Sequence, residues 1–171
     1  VYSVKTAGDL QGLMAKQTDF AGKTIRLENN IDFGGGYNVT GFANFAGTFD
    51  GNGKTIANIT IRRRDKFVGL INRATASSVI KNTGIISGEM IGTDYVGALA
   101  GESLGTITNC YNKAAVTGKL WVGGVAGSSS TITLSYNEGS IKGEGQFAGG
   151  VTGSGVNVTR CYNSGYVNGS N

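Results

Sequence analysis

Short apolar runs broken by Gly, Ser, Asn and Lys recur along most of this chain. Four of them are variants of one phrase: FVGLIN at Phe67, YVGALAG at Tyr95, WVGGVAG at Trp121 and FAGGVTG at Phe147, spaced 28, 26 and 26 residues apart. A second phrase keeps the same beat, with TITNCYN from Thr106, TITLSYN from Thr131 and NVTRCYN from Asn157. A third follows each: AAVTG around Val116, GSIKG around Ile141 and GYVNG around Val167. Each unit therefore holds three β-compatible segments separated by turn residues, with no room for a helix. Ile56, Ile80, Ile107, Ile132 and Val158, at intervals of 24, 27, 25 and 26 residues, predict one stacked inner column, and Ile25 in AGKTIRL echoes Ile56 in GNGKTIANITI. Three β-segments per turn of about 25 residues predict an all-β chain, a parallel β-helix (solenoid) of about five to six coils. Successive coils would rise about 4.8 Å, the spacing of hydrogen-bonded strands.

The chain is expected to form a single β-helix domain over residues 1–171, with a cap at 1–20, divergent first coils at 21–66 and the repeats over 67–171. In TAGDLQGLMAKQ, Thr6 and Asp9 have capping-box spacing, and Leu10, Leu13 and Met14 fall on one helical face. This predicts a short helix covering the open end of the core. The sequence stops at VNGSN as a third segment finishes, without a comparable cap, so the domain is expected to be a fragment of a longer protein. Glycine is expected at corners or at close approaches of successive coils. Tyr111, Tyr136 and Tyr162, and Asn112, Asn137 and Asn163, are expected to form ladders of stacked rings and hydrogen-bonded amides. Cys110 and Cys161 share a column with Ser135 between them; two coil rises, about 9.6 Å, exceed the roughly 7 Å reach of a disulfide. Two unpaired thiols serving as small apolar fillers are expected.

Thirty glycines without proline, in no three-residue period, exclude collagen, and 39% hydrophobic content argues against disorder. A net charge of +4 permits weak attraction to acidic polymers without singling out nucleic acid. No apolar run is long enough to span a membrane as a helix. Histidine is absent, which removes Ser-His-Asp and Cys-His catalysis and the commonest zinc ligand.

FAGTFDGNGKTIANITI (45–61), followed by VGLIN, VGALAG, VGGVAG and AGGVTG with NCYN, LSYN and RCYN between them, resembles the GLUG-repeat family of bacterial surface and secreted proteins. Similar repeats precede the peptidase domain of IgA-cleaving metalloproteases and occur in haemagglutinin-like adhesins. The resemblance covers nearly the whole chain, although the strict GLxG is blurred to ALAG, GVAG and GVTG. It implies a right-handed parallel β-helix outside the cell or at the bacterial cell surface, serving as stalk or adhesive module.

Among chemistry-bearing residues, the eleven acids fall mostly singly in turns. Asp32 and Asp50 form the least unfavourable pair for a carbohydrate-active β-helix, which needs two carboxylates facing a sugar. Asp50, however, sits in FDGNGK, where Asp beside Gly reads as turn chemistry. No acidic loop supplies a calcium shell, so no metal or cofactor is expected. Paired threonines at Thr106/Thr108 and Thr131/Thr133 resemble an ice-binding array, but Asn157 interrupts it. Arg62, Arg63 and Arg64 make the one charge run, either a solvated turn or a docking patch. The function expected is non-catalytic adhesion or presentation toward a host protein, a glycan or other modules of the same parent. The candidate binding residues are Tyr95, Trp121 and Phe147 at coil corners, with Arg62, Arg63 and Arg64.

Overall fold

The 26-residue period is the circumference of one coil. In the computed structural model, which describes residues 1–16, 18–35 and 38–170, the chain winds as a parallel β-solenoid of about six turns. All the described strand pairings are parallel. One long sheet climbs through Tyr2–Val4, Thr24–Leu27, Thr48–Asp50, Val79–Ile85, Ala100–Asn112, Ala126–Thr133 and Thr152–Thr159. A second runs through Ile59–Arg62, Gly88–Ile91, Ala115–Gly118, Ile141–Gly143 and Val167–Gly169, and a third through Asp94–Val96, Leu120–Gly123 and Ala148–Gly149.

Inward side chains stack on their copies. One column is Ile61, Met90, Val116, Ile141 and Val167; another is Val68, Val96, Val122 and Ala148. Each well-buried aliphatic contributes on the order of 1.5–3 kcal/mol. The Ile80–Ile107–Ile132–Val158 column is present, but it continues downward through Phe49 and Ile25. Ile56 instead lies between Ile31 and Ile85, past the next corner, which corrects the column expected from sequence. The same GKTI follows two different corners, Phe20/Gly22 and Asn52/Gly53, each with left-handed residues. One turn chemistry serves two places on the coil, so local similarity misassigns the register.

Glycine also plays a narrower role than expected. From Gly92 onward no glycine has positive φ; left-handed corners in the repeats belong to Tyr95, Asn109, Trp121, Leu134, Phe147 and Arg160. The repeat glycines are sites of close approach. A Cβ on Gly101 would stand 2.6 Å from the Val68 nitrogen, and one on Gly127 2.5 Å from the Tyr95 carbonyl carbon. At Gly84 a Cβ would strike the Tyr111 ring of the next coil.

Asn82, Asn109, Leu134 and Arg160 all occupy one left-handed corner, where the Asn109 amide donates to Asn82 Oδ1 at 2.9 Å. Leucine is poorly suited to that backbone, and Leu134 is 52% exposed. Leu134→Asn is expected to stabilise the chain by about 0.5–1 kcal/mol, since asparagine tolerates the conformation at little loss of burial. A thermal melt of the variant beside the parent checks this.

The helix Ala7–Met14 is capped as its sequence requires: the Asp9 N–H donates to Thr6 Oγ1 at 3.1 Å and the Thr6 N–H donates to Asp9 Oδ2 at 3.0 Å. Leu10, Leu13 and Met14 are buried in the common core. Both cysteines are free; Cys110 is buried, whereas Cys161, in the last coil, is half-buried. Burial pushes the Cys110 thiol up to about 12. A thiol-specific reagent at neutral pH is therefore expected to modify one cysteine per native chain, Cys161, and both in denaturant.

Candidate functional site

The three corner aromatics proposed from sequence come together with Phe67 in one ladder. Ring centroids are 5.0 Å apart from Phe67 to Tyr95, 4.6 Å from Tyr95 to Trp121 and 5.6 Å from Trp121 to Phe147, with interplanar angles of 23°, 9° and 12°. The glycine two places after each aromatic lets the chain bend tightly: a Cβ on Gly97, Gly123 or Gly149 would collide with the carbonyl oxygen of Ala100, Ala126 or Thr152 three residues on, and at Gly97 and Gly123 it would also press on the Ala126 or Thr152 Cα of the next coil. Tyr95, Trp121 and Phe147 have φ of 52°, 50° and 64°. Each such residue costs about 1–2 kcal/mol, offset by stacking worth about 0.5–1.5 kcal/mol per ring pair. The Arg73 guanidinium lies 4.7 Å from the Phe67 centroid and closes the lower end. Both faces of Tyr95 and Trp121 are thus taken by neighbouring rings, which leaves their edges to solvent. Phe147, 54% exposed, keeps one face open.

The arginines diverge. Arg62 forms an ion pair with Glu89 in the next coil. Arg63 pairs with Asp65 and donates from Nη1 to the Thr40 carbonyl at 3.0 Å. Arg64 is exposed, with no ion pair among the described residues. Such exposed pairs are worth little individually.

Arg63 also lines a groove of about 490 Å³ with Met14, Lys16, Asp19, Thr40 and Asn44, between the end of the helix and the first coils. Sequence reasoning missed this feature, because its walls come from segments up to about fifty residues apart and no local motif marks it. Asn72, which breaks the repeat phrase, braces one wall by donating from Nδ2 to the Thr40 carbonyl at 3.1 Å.

The two carboxylates weighed for sugar chemistry are engaged in turns. Asp32 accepts from the Gly34 N–H at 2.8 Å and the Asn58 amide at 2.7 Å, which lower its pKa. Burial raises that of Asp50, but the Asn52 N–H, the Asn82 amide and nearby Lys81 outweigh it and leave it lowered. A general acid needs the opposite shift. Asp9 and Glu144 are lowered too, the first chiefly by the Lys5 N–H and the second by the Lys142 side chain. Groups with depressed folded values stabilise fully above their unfolded pKa, and that contribution disappears as pH falls through the folded one. Melting temperature is expected to hold from pH 7 to about pH 4 and then drop; melts down to pH 2 measure it. Among the described residues, no three His, Cys, Asp or Glu side chains converge as a metal site.

No family model matches the chain. Over 88 residues, 51% of its length, it is 41% identical to halomucin of Haloquadratum walsbyi, of which this stretch is 1%. A crystal structure of a candidate immunoglobulin A1 protease from Bacteroides ovatus superposes with a TM-score of 0.80 at 19% identity, covering 96% of this chain and 57% of that one. At that identity the likeness concerns the fold, and the chain is similar to a little over half of one protein and a small part of the other.

Proposed function

We propose that the chain is a non-catalytic module of a cell-surface or secreted protein, a stiff rod for adhesion or presentation. The observation that carries this reading is the unbroken stacking of side-chain ladders from coil to coil: rings at 4.6–5.6 Å along one corner and buried amides along another. Such arrays spend side-chain chemistry on rigidity along the axis. The similarity to part of halomucin and the resemblance to GLUG repeats support the setting. Its partner would be a host protein or a glycan, met by the ring edges of Tyr95 and Trp121, the open face of Phe147 and the arginines Arg62–Arg64. An array of glycans and matrix proteins probed with the folded chain tests this. Saturable binding to one class, weakened in an Arg62→Ala, Arg63→Ala, Arg64→Ala variant or in Phe147→Ala, is the expected result. Binding to nothing would overturn adhesion and leave a spacer.

A further inference from the structure

Beneath Phe42–Phe45, where the stack would hold another strand, the chain instead carries the end of the helix Ala7–Met14 and the link to Asp19. Phe42–Phe45 pairs on one side with Ile71–Ala74, and with no strand on the other among the described residues. Next along the same coil, Thr48–Asp50 has Thr24–Leu27 and then Tyr2–Val4 beneath it. The two levels meet at Ala46, whose N–H donates to the Asp19 carbonyl at 2.7 Å. The groove of about 490 Å³ is therefore a notch in the flank of the solenoid. The helix end and Asp19 form one wall, and Gly41, Ala43 and Asn44 the other.

The notch does not open into the core. Phe42 and Phe45 are 2% and 0% exposed and pack on the Phe20 ring, with centroids at 5.7 and 6.0 Å. An occupant therefore meets backbone and rim side chains and has no apolar layer to complete. The Thr40 carbonyl is already taken, by Arg63 Nη1 and Asn72 Nδ2. The open backbone is the strand edge at Ala43 and Asn44, both exposed, and such an edge is a template for strand addition. Four residues of an extended chain span about 13 Å, which matches the length of Phe42–Phe45.

The rim chooses the charge of the occupant. Arg63 is held by Asp65 and the Thr40 carbonyl, and the Asp19 carboxylate accepts from the Ala21 N–H at 3.0 Å. Lys16, with its Nζ 5.2 Å from the Tyr2 ring centroid, has no ion pair among the described residues. Lys16 and Arg63 thus face Asp19 alone across the groove. We propose that this edge captures an extended acidic peptide: its backbone adds as a strand beside Ala43 and Asn44, and one of its carboxylates reaches Lys16. The site shares no residue with the corner aromatics, so it goes beyond the adhesive surface described above.

The test uses the whole chain, isotope-labelled, with its amide resonances followed as peptide is added. The probes are two pools of capped hexapeptides, varied at every position except one fixed glutamate or one fixed lysine. A third pool repeats the glutamate set with alternate backbone nitrogens methylated, which blocks strand pairing. The glutamate pool is expected to shift the amides of Lys16, Asp19 and Gly41–Asn44 saturably, and the other two pools to leave them in place. Lys16→Glu should weaken the apparent affinity by about threefold or more, and Lys16→Gln by less, with melting temperatures near the parent's. Phe147→Ala should leave it unchanged, so failure of this site and failure of the corner surface are read separately. No shift up to millimolar peptide, equal shifts from the lysine pool, or undiminished binding of the methylated pool would each overturn the proposal. Loss of binding in Phe147→Ala would do so by placing the peptide at the corner surface. Shifts of the same amides with protein concentration alone would do so by making a second copy the occupant.

Discussion

Asn137→Ala is expected to lower stability by about 3–5 kcal/mol, the largest effect of any single side-chain truncation considered. Asn137 is fully buried and serves four partners: Asn112 Nδ2, the Gly139 N–H, the Gly139 carbonyl and Asn163 Oδ1. Truncation removes them all and leaves buried polar groups unpaired, each at about 1–3 kcal/mol. The Asn112 amide and the Gly139 carbonyl are too enclosed for water to repair them readily. At roughly 2–4 °C per kcal/mol for a chain of this size, the melting temperature should fall by about 6–20 °C. Asn163→Ala supplies the internal comparison, since the same residue in the same column there faces solvent; a loss of about 1 kcal/mol or less is expected. Equal losses at the two positions would mean that the ladder is not what stabilises the column.

The second large effect is at glycine. Gly97→Val is expected to destabilise by about 3 kcal/mol or more, and Gly97→Ala by roughly 1–3 kcal/mol. Even the first added carbon would press on the Ala126 Cα at 2.5 Å and the Gly127 nitrogen at 2.6 Å. These are backbone atoms of the next coil and cannot swing aside like a side-chain tip. Gly12, on the helix with nothing within 4 Å of an added Cβ, is the control. Gly12→Ala should be neutral or slightly stabilising because alanine is the better helix former. Denaturant titration of the three variants ranks them directly.

These cases show which parts of the fold are legible from the residues. The coil period, the tyrosine and asparagine ladders and the capped helix each follow from residue type repeated at a fixed interval. The path of the first coils does not, because Ile25 and Ile56 share a local sequence and differ only in which corner precedes them. Nor does the role of the repeat glycines: their positions are visible, but whether a glycine is needed for its φ or for want of a Cβ depends on the coil beside it. For the candidate surface, Tyr95, Trp121 and Phe147 are recognisable as equivalent positions. That their faces are spent on one another depends on the angle at which coils stack, which no single repeat encodes. The groove beside Lys16 and Arg63 is invisible for a related reason, being formed by segments with no shared motif.

The way each coil rests on the one before it also sets the order in which the molecule can assemble. Strand partners in adjacent coils stay close in sequence at every level, from Tyr2 and Ile25 through Phe49 and Ile80 to Ile132 and Val158. The loop closed to add a coil is therefore similar in length at the first turn and the last, and because closure entropy grows only slowly with loop length, lengthening such a stack leaves that cost per step nearly unchanged. The helix with its capping box precedes the coils in the chain, so it can shield the first core layer before any later repeat exists. Folding can then proceed as directional growth, each finished coil acting as template for the next, with the unfolded remainder still threaded elsewhere. A destabilising change such as Asn137→Ala would act in that process as a pause at one level of the stack, leaving the coils already laid below it intact.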